Sequence, residues 1–531
     1  MFNKKLPPIV YFLFTILIIA SFFRLYNITQ TPPGLYPDEA MNGTNAQEAL
    51  STTPPAGGFK VFYPENNGRE GLFINIQALS VMTFGNQPWA LRGVSAIFGI
   101  FTVLGIYFLT KKLFENYKFS DSHDSKLIAL LSAFLIATNF WHINFSRIGF
   151  RAIMAPFFLT WGIYFLLKLL NSLENNLKLN IRYYGLVIIG GLVYGLGFHS
   201  YIAYRATPAI IIFTAFLYWL KNKDLSIRKR ILLVTSGYLL VAFITFAPLG
   251  YYFAKHPADF MGRTTQVSVF KSPTPLKDLS LNIIKTAGMF NFSGDQNWRH
   301  NYSGNPELFW PVGIMFLVGI FFAIKNIYTN LVNKILRKAQ NDTYSSHPES
   351  SEGFPHFPFY VLLSWIFTAA LPVVISNEGI PHALRSILMI PPVIILAGFG
   401  GILIYEKIIA FFPNHKNIFL YTFYIILFTI FSFAYASYFI KWAHNPNTDG
   451  AFAKNYVDMG NQLNSLPKEM PKYVIIEAGG GDVRGLPMPT QTIMFITDTF
   501  TPEKQKEKNI FYVLPNNISQ IPQNAFTIEL K

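Results

Sequence analysis

Apolar runs of membrane length recur along the chain, with short polar stretches between them. Eleven spans can be drawn, near 8–26, 88–110, 127–143, 152–170, 183–200, 205–220, 231–253, 308–326, 357–376, 385–405 and 417–440. A helix needs roughly 20 apolar residues to cross a bilayer core, and these runs are close to that length. The interval between the first two runs has its own pattern. Pro37 to Leu50 predicts a short helix with Asp38 and Glu39 in its first turn, and Pro54 to Gly68 is rich in turn residues. Glu70 to Phe84 carries Leu72, Phe73, Ile76, Leu79 and Thr83 at roughly helical spacing, with polar Asn75 and Gln77 between them. It is too short and polar for a span and predicts a helix lying along the membrane surface.

After His444 the pattern changes. Asp449 to Leu466 predicts a helix, while Tyr473–Glu477, Ile510–Leu514 and Ala525–Leu530 predict strands. Gly479, Gly480 and Gly481 read as a structural turn, because they match neither a dinucleotide fingerprint nor a P-loop. The fold class that follows is an all-α polytopic membrane protein with a small C-terminal extracytoplasmic α/β domain. The division falls at 1–443 and 444–531.

Composition agrees: 51% of the residues are hydrophobic and 13% are charged. The net charge of +15 does not call for a nucleic-acid partner, since the bases sit mostly in short connectors between apolar runs. Lys111, Lys112, Lys118 and Lys126 form one group, and Lys168, Lys178 and Arg182 a second. Lys221, Lys223, Arg228, Lys229 and Arg230 form a third, and Lys325, Lys334, Arg337 and Lys338 a fourth. The positive-inside rule places these connectors in the cytoplasm of a multi-pass plasma-membrane protein. The polar stretch Lys338 to Phe354 then predicts a flexible cytoplasmic loop. The first long loop has only Lys60 and Arg69 as bases and falls outside, together with the tail. Lys4 and Lys5 precede a run without a small-residue cleavage site, which predicts a retained helix and not a signal peptide. The chain has no cysteine, so disulfides and thiolate chemistry are excluded.

Ionisable residues gather on the predicted outer side. Two adjacent carboxylates, Asp38 and Glu39, follow the first span. Arg24, Arg92, Arg147, Arg151, Arg205, His382 and Arg385 lie near the outer boundary, where charge is costly and marks function more often than on an ordinary surface. Snorkelling to headgroups is the competing account of each. Together they suit an anionic lipid phosphate, because Arg binds phosphate oxygens bidentately. The run Gly294-Asp295-Gln296-Asn297-Trp298-Arg299-His300-Asn301-Tyr302 mixes amides and rings, as a sugar site or an interfacial loop would. His199 and Tyr204 fall in another outer segment. No metal motif, nucleophile elbow or Walker pattern is present, so neither a nucleotide substrate nor a metal is called for.

These residues resemble a known family. Phe23-Arg24-Leu25, then Tyr36-Pro37-Asp38-Glu39, then Ala90-Leu91-Arg92-Gly93-Val94-Ser95-Ala96 and Ser146-Arg147 are similar to the dolichyl-phosphate-mannose protein mannosyltransferases and their bacterial relatives, the aminoarabinose transferases. These are membrane glycosyltransferases of the GT-C class. The resemblance reaches to about residue 440. It implies a polyprenyl-phosphate-linked sugar donor and a hydroxyl acceptor (protein, lipid or glycan). Transfer is at the outer face, with inversion. By position it implies that Asp38 is the catalytic acid of the first loop and Glu39 its companion, with Arg24 and Arg92 near the site. Relatives often carry a basic residue before a proline at the second loop helix. Here the stretch reads Gly68-Arg69-Glu70-Gly71, and Arg69 supplies the charge one position away. No Trp-Trp-Asp signature is present, which disfavours whole-glycan transfer to Asn.

The chemistry is consistent. A carboxylate can take the acceptor proton, and a phosphate leaving group needs only charge stabilisation. Asp38 is then the base, Glu39 orients it, and Arg92, Arg147, Arg151, Arg205 and Arg385 supply phosphate contacts. A cofactor is not specified; a divalent cation on Asp38 and Glu39 is compatible but not indicated. The rival reading is a transporter or flippase of a lipid-linked glycan, which predicts mid-membrane charges and internal repeats that the sequence does not show.

Overall fold

The computed structural model describes residues 7–51, 57–117, 125–174, 181–266, 268–339 and 356–531. Lys118, Lys178 and the part of the predicted cytoplasmic loop from 340 to 354 lie outside them. The chain starts with α1 (Pro8–Leu25) and passes through two loop helices, α2 (Pro37–Leu50) and α3 (Gly71–Phe84). Between these two, β1 (Phe62–Tyr63) and β2 (Arg69–Glu70) pair antiparallel. Next come α4 (Pro88–Leu113), α5 (Ser125–Thr138), α6 (Phe140–Phe145), α7 (Met154–Glu174), α8 (Ile181–Leu196), α9 (Pro208–Lys221) and α10 (Leu225–Lys255). A long loop holds α11 (Pro257–Gln266) and α12 (Pro275–Gly288). The bundle is completed by α13 (Trp310–Ala339), α14 (Phe357–Val374), α15 (Ile390–Phe411) and α16 (Lys416–Tyr435), the last continuing into a π-helical stretch, Ala436–Trp442.

Nine helices among the described residues are long and apolar enough to cross a membrane, and they coincide with nine of the eleven predicted spans. The other two are shorter helices. The span predicted over 127–143 is divided because Asn139 is extended and its side chain accepts the His142 N–H, which starts α6 as a separate helix. The span predicted over 183–200 tightens after α8 into the 3-10 turn Gly197–His199.

Helix α15 is the central post, with 94% of its apolar window buried. It meets α13 backbone to backbone. A Cβ on Gly400 would lie 2.0 Å from the Met315 carbonyl oxygen, and one on Gly319 would lie 2.0 Å from that of Leu396. Small residues at such crossings let van der Waals packing hold helices together where lipid offers no hydrophobic drive.

The C-terminal region runs α17 (Pro446–Ala451), α18 (Lys454–Ser465), β3 (Lys472–Ile476), the hairpin β4 (Asp482–Val483) and β5 (Leu486–Pro487), α19 (Thr490–Thr497), α20 (Pro502–Lys508), β6 (Ile510–Val513) and β7 (Phe526–Leu530). The strands β6-β3-β7 form a parallel sheet, and Leu463, Val474, Ile476, Ile493, Ile510 and Leu530 make its core. All three predicted strands are present. The single helix predicted over 449–466 is two helices, separated at Ala453, whose φ of 50° is left-handed. This region docks on α2 through α19. Thr44 donates to Gln491 Oε1 (3.0 Å) and Thr492 to the Leu35 carbonyl (3.0 Å), and a Cβ on Gly43 would lie 2.5 Å from the Phe495 ring.

Candidate active site

The site begins at α2. Pro37 opens the helix with a preset φ, and Asp38 and Glu39 occupy the first turn, where the helix dipole favours acids. One step along a helix turns about 100°, so the two carboxylates diverge. Glu39 is fully buried. It accepts from Arg92 Nε (3.0 Å) and Nη2 (3.2 Å) and from the Gly149 N–H (2.7 Å). Arg92 also donates to the carbonyls of Pro32 (2.7 Å) and Gly34 (2.8 Å). The pair therefore ties α2 to α4 and to the turn after α6.

Asp38 is half-buried and lines three cavities. Asn66 donates to one oxygen of its carboxylate at 3.0 Å. Asn66 and Asn67 adopt left-handed φ values of 53° and 62° in the β1–β2 turn, a conformation Asn tolerates better than most residues.

The first cavity, about 930 Å³, lies between Asp38 and the C-terminal region, with Asp449, Lys454, Asp458, Gly480 and Asp482 in its wall. The second, about 1250 Å³, is lined by Lys271, Asp295, Arg299, His300, His382 and Arg385. Tyr36, Asp38, Asn66, Asn67 and Arg299 border both. Arg299 lies 3.6 Å above the Tyr36 ring, and its buried Nε has no hydrogen-bond partner among the described residues. Burial, and then the Asp38 charge, push the Tyr36 hydroxyl above its ordinary pKa.

The third cavity, about 100 Å³, joins Asp38 to Arg69, Glu70, Arg151 and Arg205. Glu70 accepts from Arg151 Nε at 2.7 Å and lies 3.8 Å from Arg205 Nη2. Arg69 donates to Asn42 Oδ1 (2.7 Å) and Asn45 Oδ1 in α2. Burial and the neighbouring Arg151 bring its pKa down to about 10. Arg385 pairs with Glu378 at 2.6 Å and contacts Ser376.

Asp295 accepts from His300 Nδ1 (2.9 Å) and from the Ala383 N–H (2.8 Å). Burial alone would raise the Asp295 pKa, but His300 and His382 outweigh it and bring it below the ordinary value. Among the described residues Asp295, His300 and His382 form one group with the ligand set to hold a metal ion.

Other predicted residues lie elsewhere. Arg24 is fully buried and donates to the carbonyls of Ala20, Ile136 and Ala137, with His142 Nδ1 2.6 Å away. Arg147, also fully buried, donates to those of Phe23, Tyr26 and Thr31. With Arg92, these two hold the helix ends together, and none of the three lines the cavities bordered by Asp38. His199 contacts the Thr245 carbonyl (3.0 Å), and Tyr204 is a core residue donating to the Tyr194 carbonyl (3.1 Å). The Trp298 carbonyl accepts from Trp442 Nε1 at 2.9 Å, and its ring packs on Tyr302. Sequence reasoning missed Asn66, Asn67 and Lys271, and it placed Asp295 in the Gly294 to Tyr302 run without a role of its own. Only the first two carried a signal, the turn sequence Asn66-Asn67-Gly68.

No family model matches the chain, and no curated protein matches it. Solved structures do. The oligosaccharyltransferase AglB from Archaeoglobus fulgidus, in complex with an inhibitory peptide and a dolichol-phosphate, superposes with a TM-score of 0.53 at 13% identity, covering 96% of this chain and 70% of that one. An Archaeoglobus fulgidus oligosaccharyltransferase tethered with an acceptor peptide gives 0.52 at 14% identity, covering 96% and 64%. ArnT from Cupriavidus metallidurans in the apo state gives 0.51 at 12% identity, covering 92% and 83%. The chain thus has the fold of the GT-C polytopic membrane glycosyltransferases.

Proposed function

We propose that this protein moves a sugar from a polyprenyl-phosphate carrier to an acceptor hydroxyl, with Asp38 as general base. The observation that carries the reading is the placement of the Asp38 carboxylate on the wall shared by two large cavities, beside Arg299. The fold supports it, and the archaeal structure of like fold holds a dolichol-phosphate.

In this scheme the donor phosphate lies in the larger cavity near Lys271, Arg299 and Arg385, and the acceptor enters through the cavity against the C-terminal region. Asp38 takes the proton of the acceptor hydroxyl as its oxygen attacks the anomeric carbon. The bond from that carbon to the phosphate oxygen breaks. The phosphate leaves with the electron pair, stabilised by the neighbouring cations. A single displacement inverts the anomeric centre. Arg151 and Arg205, already paired through Glu70, shape the small cavity behind Asp38. Glu39, Arg92, Arg147 and Arg24 act as framework. The basic connectors support a site on the extracytoplasmic face of the plasma membrane.

The test is transfer from a polyprenyl-phosphate-linked sugar in purified membranes. Asp38→Asn is expected to lower the rate by about 10²–10⁴-fold, the usual contribution of a general base. Full activity in that variant overturns the assignment.

A further inference from the structure

We propose that Asp295, His300 and His382 form a divalent-cation site of the zinc type, open to the larger cavity. The three residues come from two segments far apart in sequence. Asp295 and His300 follow α12, and His382 precedes α15. The segments are joined at the site itself, where the Ala383 N–H donates to Asp295 Oδ2 at 2.8 Å.

His300 Nδ1 lies 2.9 Å and His382 Nδ1 3.8 Å from that oxygen, and the two imidazole centroids are 4.9 Å apart. Ligand atoms from all three residues lie within 4.8 Å of one another. An ion bound tetrahedrally at about 2.0–2.1 Å sets its ligand atoms about 3.3 Å apart, so small side-chain adjustments seat it. Two imidazoles and one carboxylate are a donor set suited to zinc.

The backbone donors around Asp295 suit a metal ligand. The carboxylate is already oriented, because the Asn297 N–H holds Oδ1 at 2.8 Å while the Ala383 N–H holds Oδ2. Such outer contacts fix metal ligands in their binding geometry.

Three protein ligands leave a fourth position. All three residues border the 1250 Å³ cavity that Asp38 also lines, so the position is filled by water or by an anionic oxygen entering that space. Zinc binding as such does not rest on the transferase reading.

The experiment uses the full chain in detergent, stripped with a chelator and titrated with Zn²⁺ alone, with bound zinc counted after gel filtration. One zinc per chain is expected for the wild type. Asp295→Asn and His382→Gln are each expected to weaken binding by about 100-fold. The His382 side chain is 15% exposed, so His382→Gln carries the test if Asp295→Asn does not fold. Thermal unfolding without metal serves as the folding control. Absence of stoichiometric zinc in the wild type, or equal binding by a folded variant, overturns the site. Neither result bears on sugar transfer, which the Asp38→Asn assay reads separately.

Discussion

Replacing Glu39 by Gln removes one charge from the buried heart of the first loop while keeping the side chain's size. In the fold the Glu39 carboxylate takes three hydrogen bonds, two from Arg92 and one from the Gly149 N–H. A Gln oxygen in the Oε2 position keeps the bonds from Arg92 Nε and the Gly149 N–H, but its amide N–H group then faces the Nη2 donor of Arg92. Arg92 is 1% exposed, so its charge cannot turn to water. Removing one partner of a buried ion pair costs about 3–5 kcal/mol. Arg92 keeps its bonds to the Pro32 and Gly34 carbonyls, which favours the lower end, about 3 kcal/mol. That corresponds to a fall in unfolding temperature on the order of 3 °C in a chain of this size. The assay is intrinsic-fluorescence unfolding in detergent at one fixed scan rate, since proteins of this kind often unfold irreversibly. Asp38→Asn, at a half-buried cavity wall, is expected to unfold close to the wild-type temperature. A Glu39→Gln protein that unfolds with the wild type yet transfers no sugar would refute the framework role and put Glu39 in the chemistry.

Further predictions follow from the same geometry. Arg299→Ala removes the cation shared by both large cavities; it is expected to cost about 10–150-fold in kcat/KM for the donor, from the loss of charged hydrogen bonds worth about 1.5–3 kcal/mol. Wild-type efficiency in that variant excludes Arg299 from the phosphate contacts. Gly43→Leu drives a side chain into the Phe495 ring, and limited proteolysis is expected to release the C-terminal region faster. Acid should loosen the same junction. Burial alone would raise the Glu65 pKa, but Arg484, 2.6 Å away, outweighs it and brings it below 4.5. Because the folded value is depressed, its stabilisation is full above about pH 4.5 and fades as pH falls through the folded value. Protease sensitivity is expected to rise in that range for the wild type, and Arg484→Gln should lose that dependence.

The spans, both loop helices and the three C-terminal strands were legible because each is a local pattern of apolar spacing and turn residues. The interruption at Asn139 was not, since it depends on one side chain capping the next helix. The arginines show a different limit. Sequence reading could place Arg92 and Arg147 near the membrane boundary, yet carbonyls of the Phe23–Gly34 segment claim their donors, and that follows from tertiary contact alone. Asp38 and Glu39 could be told apart only once the direction of α2 against α4 was known. The Asp295–His300–His382 group has no spacing signature, because one ligand comes from a separate loop.

Of the fourteen residues of α2, twelve are buried, between α3 and α4 on one flank and α19 on the other. The helix that carries Asp38 is therefore a shared component, answerable to α3 and to α19, which are encoded more than 400 residues apart. A chimaera that takes residues 446–531 from a protein of like fold inherits a mismatch with Gly43, Thr44 and Gln47 unless α2 travels with it. Exchange of substrate preference by recombination is accordingly expected to succeed only when both pieces are exchanged together.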